Sequence, residues 1–169
     1  MATPHVTGVA ALLFSQDPKQ GYASVKQRII ESSRPLGTLR GKVAGGLVNA
    51  YYALTNQKAP PDLDDPFSWQ KMTQAVSSPH PYENNFKQTW TLNVPGANRV
   101  SVFFSKFETE RGFDKVEFFD KAGKSYGTIS GSLGETFSPV VEGDTVTMTF
   151  TSDSSNTAYG FDVSGVAFH

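Results

Sequence analysis

From Thr89 onward, apolar and polar residues alternate with a period of two. Trp90, Leu92 and Val94 interleave with Thr89, Thr91 and Asn93. After the turn sequence Pro95-Gly96-Ala97-Asn98, Val100, Val102 and Phe104 carry the inward face on. The same pattern predicts strands over 115–121, 126–129, 135–140, 145–151 and 160–168. In the fourth of these, Val146, Met148 and Phe150 sit between threonines, as on a half-buried strand. Glycine turns at Ala122-Gly123-Lys124 and Glu142-Gly143-Asp144 suit hairpins. Strand signals at intervals of about ten residues favour an antiparallel sandwich or barrel over βαβ units. Adjacent aromatics such as Phe103/Phe104 and Phe118/Phe119 fit strands with one buried face and one partly covered face.

Ahead of this region the period changes to that of a helix. Residues 1–16 contain no Asp, Glu, Lys or Arg, and Val6, Val9, Ala10 and Leu13 fall at i, i+3, i+4 and i+7. Ala2, Ala11, Leu12 and Phe14 make the other faces apolar too, which predicts a helix buried on all sides, with His5 inside it as a structural hydrogen-bond donor. Pro4 fits the first turn, and Asp17-Pro18 ends the helix. Ser24 and Gln27 form a capping-box pattern for a second helix running to about Ser33, closed by Arg34-Pro35. Asn49 is suited to cap a short third helix over 50–54. Residues 56–66 are polar, proline-rich and aperiodic, a semi-extended linker. The organisation read from these patterns is a helical segment 1–55, a linker 56–66 and a β-sandwich 67–169, an α + β chain.

Composition narrows the functional classes. Fifteen basic and sixteen acidic residues leave no basic footprint for nucleic acid. With no cysteine, disulfides, zinc–thiolate sites and thiol catalysis are excluded, so added stability must come from the core, from proline-fixed loops or from a metal. The apolar start lacks the basic residues that open a signal peptide and is too short to span a bilayer.

Met1-Ala2-Thr3-Pro4-His5-Val6 resembles the helix that directly follows the nucleophile Ser in subtilisin-like serine proteases. Ala44-Gly45-Gly46-Leu47-Val48-Asn49-Ala50 resembles the turn that closes their catalytic domain. The resemblance implies the C-terminal part of a secreted (extracellular or periplasmic) bacterial endopeptidase acting on protein or peptide substrates. The nucleophilic Ser, the catalytic His and the Asp are not in this sequence. No catalytic residue is therefore assigned, and the chain is expected to be inactive by itself. Residues 1–55 expressed alone are expected to be disordered, to aggregate or to pack on another copy.

A second resemblance covers about ninety residues. Ser78-Pro79-His80-Pro81-Tyr82, Phe104-Ser105-Lys106-Phe107-Glu108-Thr109-Glu110, Asp114-Lys115-Val116-Glu117-Phe118-Phe119-Asp120, and Ser152-Asp153-Ser154 with Gly160-Phe161 resemble, in order, the motifs of CUB domains. The runner-up is another bacterial pre-peptidase sandwich. The CUB resemblance implies calcium held by Glu110, Asp114 and Asp153, with Asn156 or carbonyls near Ser154 completing the shell. Calcium takes six to eight hard oxygen ligands, and three massed carboxylates would repel one another without it. Glu108 rivals Glu110, because strand alternation turns only one of the two inward. The expected roles are an accessory domain for protein interaction or stability, or a stand-alone calcium-stabilised adhesion module. Its ligand would be a protein or a carbohydrate, with no nucleic acid and no membrane span involved.

Overall fold

The computed structural model describes residues 3–37 and 43–169. The chain forms two compact units, Met1–Ser68 and Trp69–His169. Residues 1 and 2 of the predicted first helix lie outside the described residues.

In the first unit, α1 (Thr3–Gln16), α2 (Tyr22–Ser32) and α3 (Ala50–Thr55) meet around Val9, Leu13, Val25 and Ala53. The expectation that α1 is buried on all sides is corrected. Only its Val9/Leu13 side is covered by α2 and α3, while His5, Val6, Leu12 and Phe14 are exposed. The second helix also begins earlier than predicted. Gly21 is its N-cap with no side-chain cap, so Ser24 lies within the first turn, and Gln27 Nε2 donates to Glu31 Oε1 instead (2.7 Å). Asn49 does cap α3, its side chain accepting from Tyr52 N (3.2 Å). Arg28 closes the other end of α3, donating to the carbonyls of Ala53 (2.6 Å) and Leu54 (2.9 Å), where a cation complements the helix dipole. Asp62, also in this unit, lies 3.8 Å from Arg34 Nη2.

The second unit is an antiparallel sandwich. One sheet joins β1 (Gln70–Met72), β10 (Gly160–Phe168), β4 (Arg99–Glu108) and β7 (Thr136–Phe137), with β2 (Val76–Ser77) on β10 and β8 (Val141–Glu142) on β4. The other runs β3 (Lys87–Asn93), β9 (Thr145–Thr151), β5 (Lys115–Phe119) and β6 (Ser125–Ile129). The alternating apolar positions meet between the sheets. Phe104, Phe107, Phe118, Phe150, Phe161 and Met148 are fully buried. Phe161 lies at their centre, 5.2 Å from Trp90, 5.4 Å from Phe104 and 5.7 Å from Phe150, mostly edge to face.

The two glycine turns part company. Ala122-Gly123-Lys124 joins the paired strands β5 and β6, a true hairpin. Glu142-Gly143-Asp144 instead carries the chain from the sheet of β4 to that of β9, as Pro95-Gly96-Ala97-Asn98 carries it from β3 to β4. The two passages are bonded to one another, Val94 N to Asp144 O (2.7 Å) and Gly143 N to Asn98 O (2.6 Å), which satisfies backbone groups that a hairpin ladder would otherwise have paired. At the opposite end of the sandwich four more passages run between the sheets; residues 78–86, 109–114 and 152–159 build the site, and residues 130–135 run beside them. Every predicted acid lies there.

Candidate metal centre

The first passage is tied to β10 through Ser78, whose N donates to Phe161 O (3.1 Å) and whose Oγ accepts from Phe161 N (2.9 Å). This sets the ring of Tyr82 into the core, edge-on to Phe150 at 4.8 Å. Its hydroxyl donates to Asp114 Oδ2 (2.5 Å) and accepts from Glu110 N (3.2 Å). The second passage is a tight turn in which Asp114 N donates to Glu110 O (3.1 Å). Thr109 braces it, its Oγ1 donating to Asp114 O and accepting from Gly131 N, both at 2.9 Å. The third brings in Asp153, whose N donates to Asp114 Oδ1 (2.9 Å) and whose carbonyl accepts from Asn85 N (2.6 Å).

Glu110, Asp114 and Asp153 each offer a carboxylate oxygen, and these oxygens lie within 4.8 Å of one another. Asp114 is fully buried, the other two partly so. Two of the carboxylates are oriented by the protein's own donors: Asp114 by the buried Tyr82 hydroxyl and the Asp153 amide, and Asp153 by the exposed Ser155 N (2.9 Å). Glu110 Oε1 accepts from Asn156 Nδ2 (2.9 Å), whereas Glu110 Oε2 is buried without a hydrogen-bond partner among the described residues. Burying a carboxylate oxygen with nothing to compensate it is costly, and a cation between the three acids would remove that cost. The donor set, all hard oxygen and carrying three negative charges, suits a divalent hard cation. Burial and the bond to Asp114 push the Tyr82 hydroxyl up to about 12, so it remains a donor to the carboxylate throughout the physiological range.

Glu108 does not join this group. It stands at the end of β4, half exposed, with Lys106 Nζ at 3.9 Å. Asn156, in a left-handed conformation at φ 53°, reaches Glu110, and Ser154 is exposed beside it. Tyr82 belongs to the Ser78–Tyr82 motif, but nothing in the sequence links it to the acids. The available signal was a tyrosine in a segment otherwise rich in proline and polar residues.

A separate polar cluster holds the first passage from outside. Asp162 on β10 accepts from Ser77 Oγ (2.6 Å) and Tyr159 OH (2.6 Å) and lies 3.1 Å from His80 Nε2, while His80 stacks on Tyr159 at 4.0 Å. The Ser77 hydroxyl first, then Tyr159 and His80, hold the Asp162 carboxyl below its usual range against an opposing effect of burial. The bond to Asp162 raises Tyr159.

The sandwich and its loops match the CUB domain model over residues 67–164. The chain belongs to the CUB family. CUB domains are protein-interaction modules, many of which bind calcium, and the acid cluster lies inside the matched CUB region. A human relative, the zinc finger ZZ-type and EF-hand domain-containing protein 1, is 33% identical over 99 residues, which is 57% of this chain and 3% of that protein. The chain therefore spans a small fraction of that relative's length. Among solved structures, the CUB1-EGF-CUB2 region of human MASP-1/3 is 24% identical, covering 58% of this chain and 42% of that one, with a TM-score of 0.49. The calcium-bound MASP-1 CUB2 domain is 18% identical over 56% of this chain and 94% of its own, with a TM-score of 0.44. The CUB match begins at residue 67 and does not extend over the three helices. Among the described residues no helix is long and apolar enough to cross a membrane.

Proposed function

We propose that the CUB domain of this chain is a calcium-stabilised protein-interaction module of an extracellular protein, with Glu110, Asp114 and Asp153 as its carboxylate ligands. The observation that carries this reading is the buried, unpartnered Glu110 Oε2 beside two carboxylates that the fold has already oriented. The protein supplies three carboxylates from two passages, fixed by Tyr82, Thr109 and the Asp153 amide. Calcium would supply the charge that lets them remain together, and backbone carbonyls or water would complete its shell. The ion would lock the loops at this end and so fix the surface they present to a partner.

The test is thermal unfolding with calcium and with EDTA. A ligand selective for the folded state stabilises it by about 2.7 kcal/mol at a hundredfold excess over its Kd. Calcium should raise the midpoint, and Asp153→Ala should abolish the rise. An unchanged midpoint, together with a silent Asp153→Ala, would overturn the assignment.

A second reading places the CUB domain as an accessory to a secreted, bacterial, subtilisin-like endopeptidase whose substrates are proteins or peptides. It is favoured by the Met1–Leu13 and Gly45–Ala50 motifs, the latter leading into the Asn49-capped helix. It is tested by sequencing the coding region ahead of Met1. Gly-Thr-Ser immediately before Met1, with Asp and His motifs farther upstream, would support it, and an unrelated sequence would refute it.

A further inference from the structure

We propose that the outer face of the β3-β9-β5-β6 sheet binds a sulfated glycan. The side chains that alternation turns away from the core form a groove of about 610 Å³ that crosses all four strands. Its floor is made of hydroxyls, with Thr89, Thr149 and Thr151 on the two strands at one side and Thr128 at the other. Thr151 is in register with Lys87 on one neighbouring strand and with Lys115 on the other, so two ammonium groups flank one hydroxyl. At a strand spacing of about 4.8 Å, these lysines stand roughly 10 Å apart at the backbone, a gap their flexible stems can close around one tetrahedral oxyanion.

Both lysines are uncommitted. Among the described residues neither side chain has a hydrogen bond or ion pair. By contrast, Lys106, Lys124 and Arg99 lie over the rings of Tyr159, Tyr126 and Trp69. Glu117, the one acid of the groove, accepts from Ser125 Oγ at 2.7 Å and keeps its charge. Two lysines against one carboxylate leave the groove net positive, with the positive charge at the Lys87/Lys115 end. Half-buried Phe119 lies on the same outward face of β5 as Lys115 and Glu117, and offers an apolar ring for the C–H face of a sugar.

This chemistry fits a sugar chain better than a protein. Protein contacts centre on buried apolar or aromatic anchors set in pockets, and here the floor is polar. Hydroxyls in rows, two cations for a sulfate and a single ring for stacking match a strand of sugars with an anionic substituent. The groove is on the face of the sheet and the calcium candidates are on the loops, so this proposal does not depend on the metal reading.

The test is a titration of the ¹⁵N-labelled full chain with a heparin-derived hexasaccharide, its desulfated counterpart and inorganic sulfate, each with calcium and with EDTA. The expected result is amide shifts confined to the outer strands, with the sulfated chain at least about tenfold tighter than the desulfated one. The shifts should stay on the outer strands in EDTA. The double variant Lys87→Gln/Lys115→Gln, whose exposed positions leave the fold intact by the same spectrum, should lose at least about tenfold. Phe119→Ser should weaken the hexasaccharide but leave inorganic sulfate unaffected. Equal binding of the desulfated chain, shifts centred on the acid loops, an unaffected lysine variant, or sulfate alone binding as tightly as the hexasaccharide would each overturn the proposal.

Discussion

Tyr82 and Asp114, 32 positions apart, meet through a 2.5 Å hydrogen bond beneath the acid cluster, and the same tyrosine oxygen accepts from the Glu110 amide. One hydroxyl from the first inter-sheet passage thus orients both ends of the second. Replacing Tyr82 by Phe keeps the ring against Phe150 but strips Asp114 of a buried partner. The expected cost is about 1–3 kcal/mol. In a domain of this size that lowers the thermal midpoint by roughly 4–8 °C for each kcal/mol. Circular dichroism melts of the two proteins check it, and an unchanged midpoint would show that the bond contributes nothing net.

Glu110→Gln should reverse its sign with the metal. In EDTA, replacing the carboxylate whose Oε2 has no partner relieves repulsion within the cluster, so the variant should match or exceed the parent in stability. In calcium the variant should fall behind, because a charged ligand is gone. Melts in both conditions decide it, and a variant that responds to calcium as the parent does would remove Glu110 from the site.

Acid should act on the outer cluster through Asp162. Its carboxyl is held low in the folded state, first by the Ser77 hydroxyl and then by Tyr159 and His80. A depressed carboxyl gives stability that is present above its unfolded pKa and is lost as pH falls through the lower folded value. Tyr159 is raised, so its contribution holds below its unfolded pKa and disappears as pH climbs through the folded one. Asp162→Asn should flatten the acid limb of the stability profile below about pH 4. Denaturant unfolding across pH provides the measurement, and an identical acid limb in the variant would count against this account.

Gly160→Ala should be among the most damaging single changes in the sandwich. The residue sits at φ 99°, where a side chain is strained, and a Cβ there would collide with Ser78 Oγ and press on Pro79 O. About 2–4 kcal/mol of destabilisation is expected, from backbone strain plus overpacking where the first passage meets β10. Urea midpoints measure it. A loss under about 0.5 kcal/mol, the range of neutral surface changes, would mean the passage can shift aside.

The long strands were legible because alternation decides which face is buried. β9 and β10 run over the predicted residues, with Val146, Met148, Phe150 and Phe161 all inside. The short strands β1, β2 and β8 were not, since two or three residues hold too little of a repeat to be read. Nor does a glycine turn disclose whether it joins neighbours or changes sheets. Gly123 and Gly143 both have positive φ, and only the pairing of the flanking strands separates them. The exposed side of α1 is not legible in the sequence, because an apolar run states what could be covered, not what is there to cover it. At the acids, the resemblance named the three side chains. What separates Glu110 from Glu108 is the end of β4, which falls at Glu108 and leaves Glu110 in the turn.

The three acids converge only after the chain has passed repeatedly between the two sheets. Glu110 and Asp114 are near neighbours, but Asp153 reaches Asp114 from 39 residues away, across the five strands β5 to β9. Closing a loop of that length is unfavourable until the intervening strands repay it. Because β5 and β9 are neighbours, the pairing of Lys115 with Thr151 by itself sets Asp114 beside Asp153, and the other sheet contributes by anchoring Ser78 and, through it, the Tyr82 that orients Asp114. A bound ion therefore reports first of all that β5 and β9 have found each other.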